Sequence, residues 1–311
     1  MTGGTALSRR SLLSGAAGLS VLACLGACST GEQAPQDTTT HPALRPPDAS
    51  GAVAFVRGGS SAQLLGLRAP DVLVGLSPAL AAGTPYAAGL VGMPPFPGEV
   101  LMRERTGAEA FVQVEGPDAV ARLAEVVRGL DVAWQCPVRR EVVAREGSPA
   151  GLQRNPFGFV EGHTNTPDVL LPSGASLLAV RVIRMAHGQW RADPPERQAA
   201  VIGRHPDGTW LDGTAAGATP DFTADPDGAT TPLDSHVRTM NPRTPGSAAP
   251  RMLRRSWIYS TSPQDEGVVF MAFQRDLAAG FALAQSRLTA DALHPYLLAV
   301  GGGYFAVPPM P

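Results

Sequence analysis

The sequence contains no lysine: all 25 basic side chains are arginine. Set beside the abundance of Ala, Gly and Pro, this absence reflects a GC-rich genome rather than a function. Charge of either sign is not in excess, with a formal net of -2, which excludes broad electrostatic binding to nucleic acid. Cysteine is scarce. Of Cys24, Cys28 and Cys136, only Cys136 lies in the part expected to fold, so no disulfide can form within it. The six histidines include no pair at the spacing of a zinc-protease helix and no Cys/His cluster, which removes the common zinc sites. There is also no Gly-x-Ser-x-Gly elbow, no Walker loop, and no Gly-x-Gly-x-x-Gly opening a helix after a strand. These gaps exclude the usual hydrolase, P-loop and Rossmann readings.

What is present fits a soluble globular protein. The chain has 311 residues, 44% hydrophobic and 17% charged, enough for one or two domains with a large core. Residues Ser8-Arg9-Arg10-Ser11-Leu12-Leu13 resemble a twin-arginine export signal. A weakly apolar stretch follows from Leu12 to Ala27, too short and too rich in Gly, Ala and Ser for a stable membrane span, so residues 1–27 are expected to be a processed signal peptide. Leu25-Gly26-Ala27-Cys28 resembles a lipoprotein processing box, in which cleavage would leave a lipidated Cys28; cleavage without a lipid stays open. Residues 28–50 read as a disordered tether. The twin-arginine route moves folded proteins, often with a cofactor already loaded. With no disulfide available, the sequence points to an exported cofactor protein, placed in the periplasm or on the outer face of the cytoplasmic membrane.

The rest reads as two units, 51–150 and 151–311. In the first, Ala52–Val56, Val72–Leu76 and Glu109–Glu115 are strand-like. A helix follows from Pro117, with Val120, Leu123, Val126 and Val127 as its apolar face and Gly129 as its stop. Val132–Val143 is strand-like again. This order suits a ferredoxin-like α+β unit, shortened because little room separates the tether from Val72. In the second unit, Ser176–Arg184 is a strand. Asp193, Pro194 and Glu196 start a helix that runs to about Ile202. Residues 203–235 form a long loop of the kind that is often functional. Gly267–Phe273 is a buried strand, Asp276 caps a helix with Leu277, Phe281, Ala284 and Leu288 on one face, and a last strand over Leu297–Val307 is broken by Gly301 to Gly303.

Three segments carry candidate chemistry. In Asn155–Pro167, Gly158 and Gly162 bracket Glu161, with Phe157 and Phe159 between. In Asp234–Arg243, His236 stands close to Arg238, Asn241 and Arg243 in a loop-like stretch. In Met252–Tyr259, Arg254 and Arg255 are flanked by apolar residues, so at least one points inward and needs an anionic partner.

These segments, in this order and spacing, resemble the dye-decolourising peroxidases, a haem family. The likeness is nearest to the branch holding the periplasmic deferrochelatase/peroxidase of bacterial ferrous-iron uptake systems. It is carried by Asn155–Pro167, Ser235–Arg243, Leu253–Tyr259, Phe273–Leu277 and Gly301–Phe305, with the strand Ala179–Met185 also fitting, and it covers the chain from about residue 70 onward. The resemblance implies a dimeric α+β fold of two ferredoxin-like units with antiparallel sheets, haem b being held mainly by the C-terminal unit. It implies His236 as the proximal ligand of the haem iron, Glu161 at the distal acid, and Arg254, eighteen residues past His236, at the distal arginine. It places Gly158 and Gly162 against the porphyrin and Arg238, Asn241 and Arg243 near the haem propionates. The implied partners are hydrogen peroxide and a reducing substrate, with iron-uptake components behind them. Trp190, Trp210, Trp257 and Tyr259 are the candidates for a surface contact with a reductant, though each also suits a core.

The sequence departs from the family pattern in three places. Glu161 stands where the family usually has Asp, and its extra methylene moves the carboxylate by about 1.5 Å. The N-terminal unit is short. His294 stands where an acid supporting the proximal histidine is expected. An alternative reading follows from these departures: a haem-binding or haem-iron delivery lipoprotein with little peroxidase activity.

Overall fold

Alternation along single strands builds the architecture. In β1 (Ser50–Arg57), Val53 and Phe55 face one way and Ala52, Ala54 and Val56 the other, and all five are buried. Both faces of this sheet are therefore covered. The computed structural model describes residues 41–145, 148–162 and 165–310, and no side chains over 145–151. The signal peptide, Cys28 and His163 lie outside the described residues.

After β1 come the single helical turn α1 (Ser61–Leu65), β2 (Val72–Leu76), the turn α2 (Pro78–Ala81), β3 (Ala110–Glu115), helix α3 (Ala119–Val126) and β4 (Asp131–Arg139). A hairpin of β5 (Glu141–Arg145) and β6 (Ser148–Arg154) leaves the main sheet. Then follow β7 (Ser176–Met185), α4 (His187–Ala192), α5 (Pro195–Ile202), α6 (His236–Met240), β8 (Leu253–Arg254), β9 (Trp257–Ser262), β10 (Asp265–Gln274), α7 (Leu283–Arg287) and β11 (Leu297–Val307).

The long strands form one antiparallel ring in the order β7-β11-β2-β3-β1-β4-β9-β10, closed by pairing of β10 with β7, with β8 following along the edge of β10. Counted within itself, each half has the strand order 4-1-3-2: β4-β1-β3-β2 in the first and β11-β7-β10-β9 in the second. The seams between halves are narrow. Ala306 pairs with Leu76 at one, and Val138 and Arg139 pair with Tyr259 and Ile258 at the other. The interior is filled by Phe55, Phe111, Trp257, Tyr259, Met271, Phe273 and Phe305, a packed barrel rather than a pore.

Several expectations need correction. Gly301 to Gly303 do not break the last strand, which runs on through a bulge between Ala299 and Gly301. They allow close approach instead: a Cβ at Gly301 would stand 2.3 Å from that of Arg105, and one at Gly302, whose φ is +147°, only 2.2 Å from the Val180 carbonyl. The stretch Val132–Val143 is two strands, because the chain turns out of the barrel at Arg140. Val120 is exposed, and the buried face of α3 is Ala119 and Leu123, continued by Val127. The expected tether over 28–50 does not hold for residues 41–50: His41 and Ala43 are buried, the His41 ring lies 3.1 Å from the Val307 carbonyl, and Ser50 opens β1. Strand β9 and helices α4 and α6 are additions that apolar periodicity did not mark. Trp190, Trp210, Trp257 and Tyr259 are all buried, so none offers a surface contact. Among the described residues, no helix is long and apolar enough to cross a membrane.

Candidate functional site

A cavity of about 240 Å³ lies on the outer face of the C-terminal half of the barrel. Its floor is the outward-facing set of β7 and β10, including Ile183, Met185, Val268 and Phe270, and its walls come from α5, α6 and α7. Most of its surface is apolar. Most of the polar groups that enter it come from the three segments that the sequence singles out, joined by Arg181, Arg204 and Gln285.

His236 is the first residue of α6. The long loop before it is built to present that residue. The Asp225 carboxylate accepts from the Thr230 and Thr231 amides at 3.2 and 2.8 Å and from the Arg238 guanidinium at 3.1 Å. Arg238 also donates to the Thr231 carbonyl at 2.8 Å. Gly203 ends α5 at φ +86°, where a Cβ would come within 2.4 Å of Val237; the two helices can abut there because the position is glycine. His236 Nδ1 lies 2.7 Å from a carboxylate oxygen of Asp291, whose side chain is buried and also accepts from the Leu293 amide. A carboxylate partner fixes Nδ1 as the donor and leaves Nε2 with the lone pair, the arrangement of a ligating histidine.

Glu161, Gly162 and Arg254 also line the cavity. Arg254 is held through Asn165, whose side-chain oxygen accepts from its amide and guanidinium at 3.0 and 3.3 Å, and it donates to the Gly162 carbonyl at 3.1 Å. The Glu161 carboxylate has no hydrogen bond from any described residue. Burial pushes its pKa above the usual carboxylate range, while the positive charges of Arg254 and Arg140, and His236 when charged, pull it back.

Two further arginines face the same space. The buried Arg204 guanidinium lies 3.8 Å over the ring of Trp210. Burial, with the neighbouring charges of Arg243 and Arg254, lowers its pKa to about 10. Its Nε is buried without a hydrogen-bond partner among the described residues. Arg243 lines the cavity beside Asn241, adopts the left-handed φ of +53°, and has its pKa lowered by burial.

The structure therefore brings His236, Glu161, Arg254, Gly162, Asn241 and Arg243 to one cavity. Two predicted residues do not belong there. Arg238 is buried among Asp225, Thr231 and Phe222, where both of its terminal nitrogens donate to the loop, so it braces the loop and does not line the cavity. Gly158 has φ +90° and nothing near its missing Cβ; it shapes the turn that Asn155 caps by accepting from the Phe157 and Phe159 amides. The glycine that matters is Gly162, where a Cβ would strike the Arg204 guanidinium at 2.6 Å. The acid supporting His236 is present after all, as Asp291, three residues before His294. Arg204 and Arg140 also escape sequence reasoning, because arginines are common in this chain and nothing local marks these two.

Comparison with known proteins gives three kinds of match. Residues 153–311 match the family model described as Dyp-type peroxidase, C-terminal. The deferrochelatase of Escherichia coli K12 is 38% identical over 138 residues, which is 42% of this chain and 33% of that protein, so the match spans about a third of the length of the curated relative. A DyP-type peroxidase from Cellulomonas bogoriensis superposes with a TM-score of 0.73 at 26% identity, covering 87% of this chain and 93% of the other. A DypB variant from Rhodococcus jostii, solved in complex with heme, superposes with a TM-score of 0.65 at 19% identity, covering 86% and 96%.

Proposed function

Because the chain belongs to the Dyp-type peroxidase family, we propose that it is a haem peroxidase that reduces hydrogen peroxide with an organic or dye-like electron donor. The observation that carries this reading is the pairing of His236 with buried Asp291 on one wall of an apolar cavity whose lining also holds Glu161 and Arg254. The residues fit haem b. Nε2 of His236 is free to hold iron, and the buried Nε of Arg204, with Arg243 close by, lacks the anion that a propionate would supply.

Haem, when bound, supplies an iron that takes electrons from the donor and passes them to peroxide. The chain's own residues do the rest. Asp291 keeps Nδ1 protonated and the imidazole oriented and electron-rich. Glu161 lines the cavity with its carboxylate free of hydrogen bonds from the described residues and its pKa raised by burial, so that carboxylate can carry the proton from one peroxide oxygen to the other. Arg254, fixed by Asn165, donates to the oxygen on which negative charge develops. We read the two halves as ferredoxin-like units, with haem held by the C-terminal one.

The second reading, a haem-binding or haem-iron delivery lipoprotein with weak turnover, is favoured by Glu161 itself, since a displacement near 1 Å can cost about a hundredfold in rate. The first test is the Soret band of mature protein supplied with haem; its absence sinks both readings. Peroxide-dependent oxidation of a dye then separates them. The proposal extends to export by the twin-arginine route, a lipid on Cys28, a homodimer, and a link to iron acquisition, the last supported by the deferrochelatase relative.

A further inference from the structure

Arg254 and Ser256 line the cavity, and Arg255, in the link between β8 and β9, points the other way, onto residues 42–45. Its guanidinium is buried and committed. It donates to the Pro42 and Ala43 carbonyls at 2.9 Å each, to the Arg45 carbonyl, and to the Glu115 carboxylate at 3.4 Å. Its own amide donates to the Met271 carbonyl at 2.8 Å. Glu115 is fixed in turn by the Gln113 side chain and the Asp48 amide. The segment so gripped, residues 41–45, is anchored at its start by His41 against the Val307 carbonyl, and the Ala49 carbonyl accepts from the Arg140 amide at 2.7 Å.

We infer that residues 41–45 form a strap that Arg255 clamps to the barrel, and that Arg255 is a positioning residue for Arg254. With its guanidinium fixed on the strap side and its amide on β10, Arg255 sets where the backbone of residue 254 enters the cavity. The strap lies outside the stretch matched by the family model, so the site draws on a part of the chain that the family match does not reach. Without the strap, Arg255 would keep several buried donors with no acceptor, and the chain would shift to satisfy them. Arg254, one residue away, would shift with it. This inference rests on the reading of Arg254 as the donor facing the ligand.

The test uses the full chain loaded with haem and fluoride as the probe, its affinity read from the absorption spectrum well below the unfolding temperature. Arg254→Leu removes the donor and should weaken fluoride by about tenfold or more; an unchanged affinity overturns the reading of Arg254 and this inference with it. Arg255→Leu keeps Arg254 and should still weaken fluoride several-fold, with faster amide hydrogen exchange over residues 41–49. If Arg255→Leu does not fold, Arg255→Lys serves, since one ammonium cannot bridge the carbonyls that the guanidinium spans; a smaller loss of the same sign is expected. Fluoride affinity unchanged in the Arg255 variant that folds, while Arg254→Leu weakens it, overturns the positioning role even if thermal stability falls. Unchanged exchange over the strap overturns the clamp.

Discussion

The outer faces of the two halves of the barrel are covered differently. In the N-terminal half, α3 lays Ala119 and Leu123 in one cluster with Ala54, Val56, Val112 and Val114, and the sheet is sealed. In the C-terminal half, with the same internal strand order, Ile183, Met185, Val268 and Phe270 border a cavity. The difference lies in the connections. The first half joins β1 to β2 through one helical turn, while the second joins β7 to β8 through α4, α5, the long loop and α6. A short link can only close down on its sheet. A long one can stand off from it and carry a histidine into the gap. In the sealed half side chains hold the fold; in the open half they are arranged around something the fold does not supply.

That contrast can be broken in graded steps. His236→Ala should abolish stable haem binding, read as loss of the Soret band, while the far-ultraviolet circular dichroism of the barrel stays as it was. Glu161→Gln should lower peroxide turnover by about 10²–10⁴-fold, the range for losing a general acid-base group, and should leave the Soret band in place. Its pH dependence follows from the sign of the shift. The folded pKa of Glu161 is raised, so turnover falls as pH drops through it, and that limb should vanish in Glu161→Gln. For stability the sign is opposite: the contribution of this carboxyl is complete below its unfolded pKa and is lost as pH rises through the folded one. Wild-type Tm, compared with that of Glu161→Gln, should therefore fall on going to higher pH.

Asp291→Asn keeps a polar neighbour but removes the charge, and should weaken haem retention or turnover by about 10–100-fold, measured by haem transfer to apomyoglobin. At the sealed half, Leu123→Ala should cost about 2–5 kcal/mol of stability in urea unfolding while the haem-loaded spectrum is unmoved. A spectrum that changed with Leu123 would show that the halves do not divide the work.

Much of this was legible beforehand. Strands with long apolar runs, such as β1 and β10, declare themselves because both faces are buried. The helix from Pro195 to Ile202 carries its own start and stop signals. Glu161, His236 and Arg254 stand out because of their spacing and their resemblance to a family, not through any local property. What escaped notice depends on tertiary closure. β9 mixes Trp257 and Ile258 with Ser260, Thr261 and Ser262, so no clear alternation marks it until β4 and β10 flank it. Asp291 looks like any residue before a helical turn, and only folding brings its carboxylate to a histidine 55 positions away. Arg238 misleads in the opposite sense: it lies near His236 in sequence, yet its guanidinium is spent on the loop that delivers it.

The narrow seams of the ring have a consequence for how such a protein can be inherited or engineered. The stretch matching the family model begins at residue 153 and so takes in the whole C-terminal half. Cut out by itself, that half would present β9 and β11 as open edges, each a row of unpaired amides and carbonyls ready to pair with another copy. Its neighbour, likewise alone, would present β2 and β4. The ring is thus the smallest piece that recombination can move without inviting aggregation, and a graft of the cavity-bearing half onto another scaffold must bring partners for both of those strands.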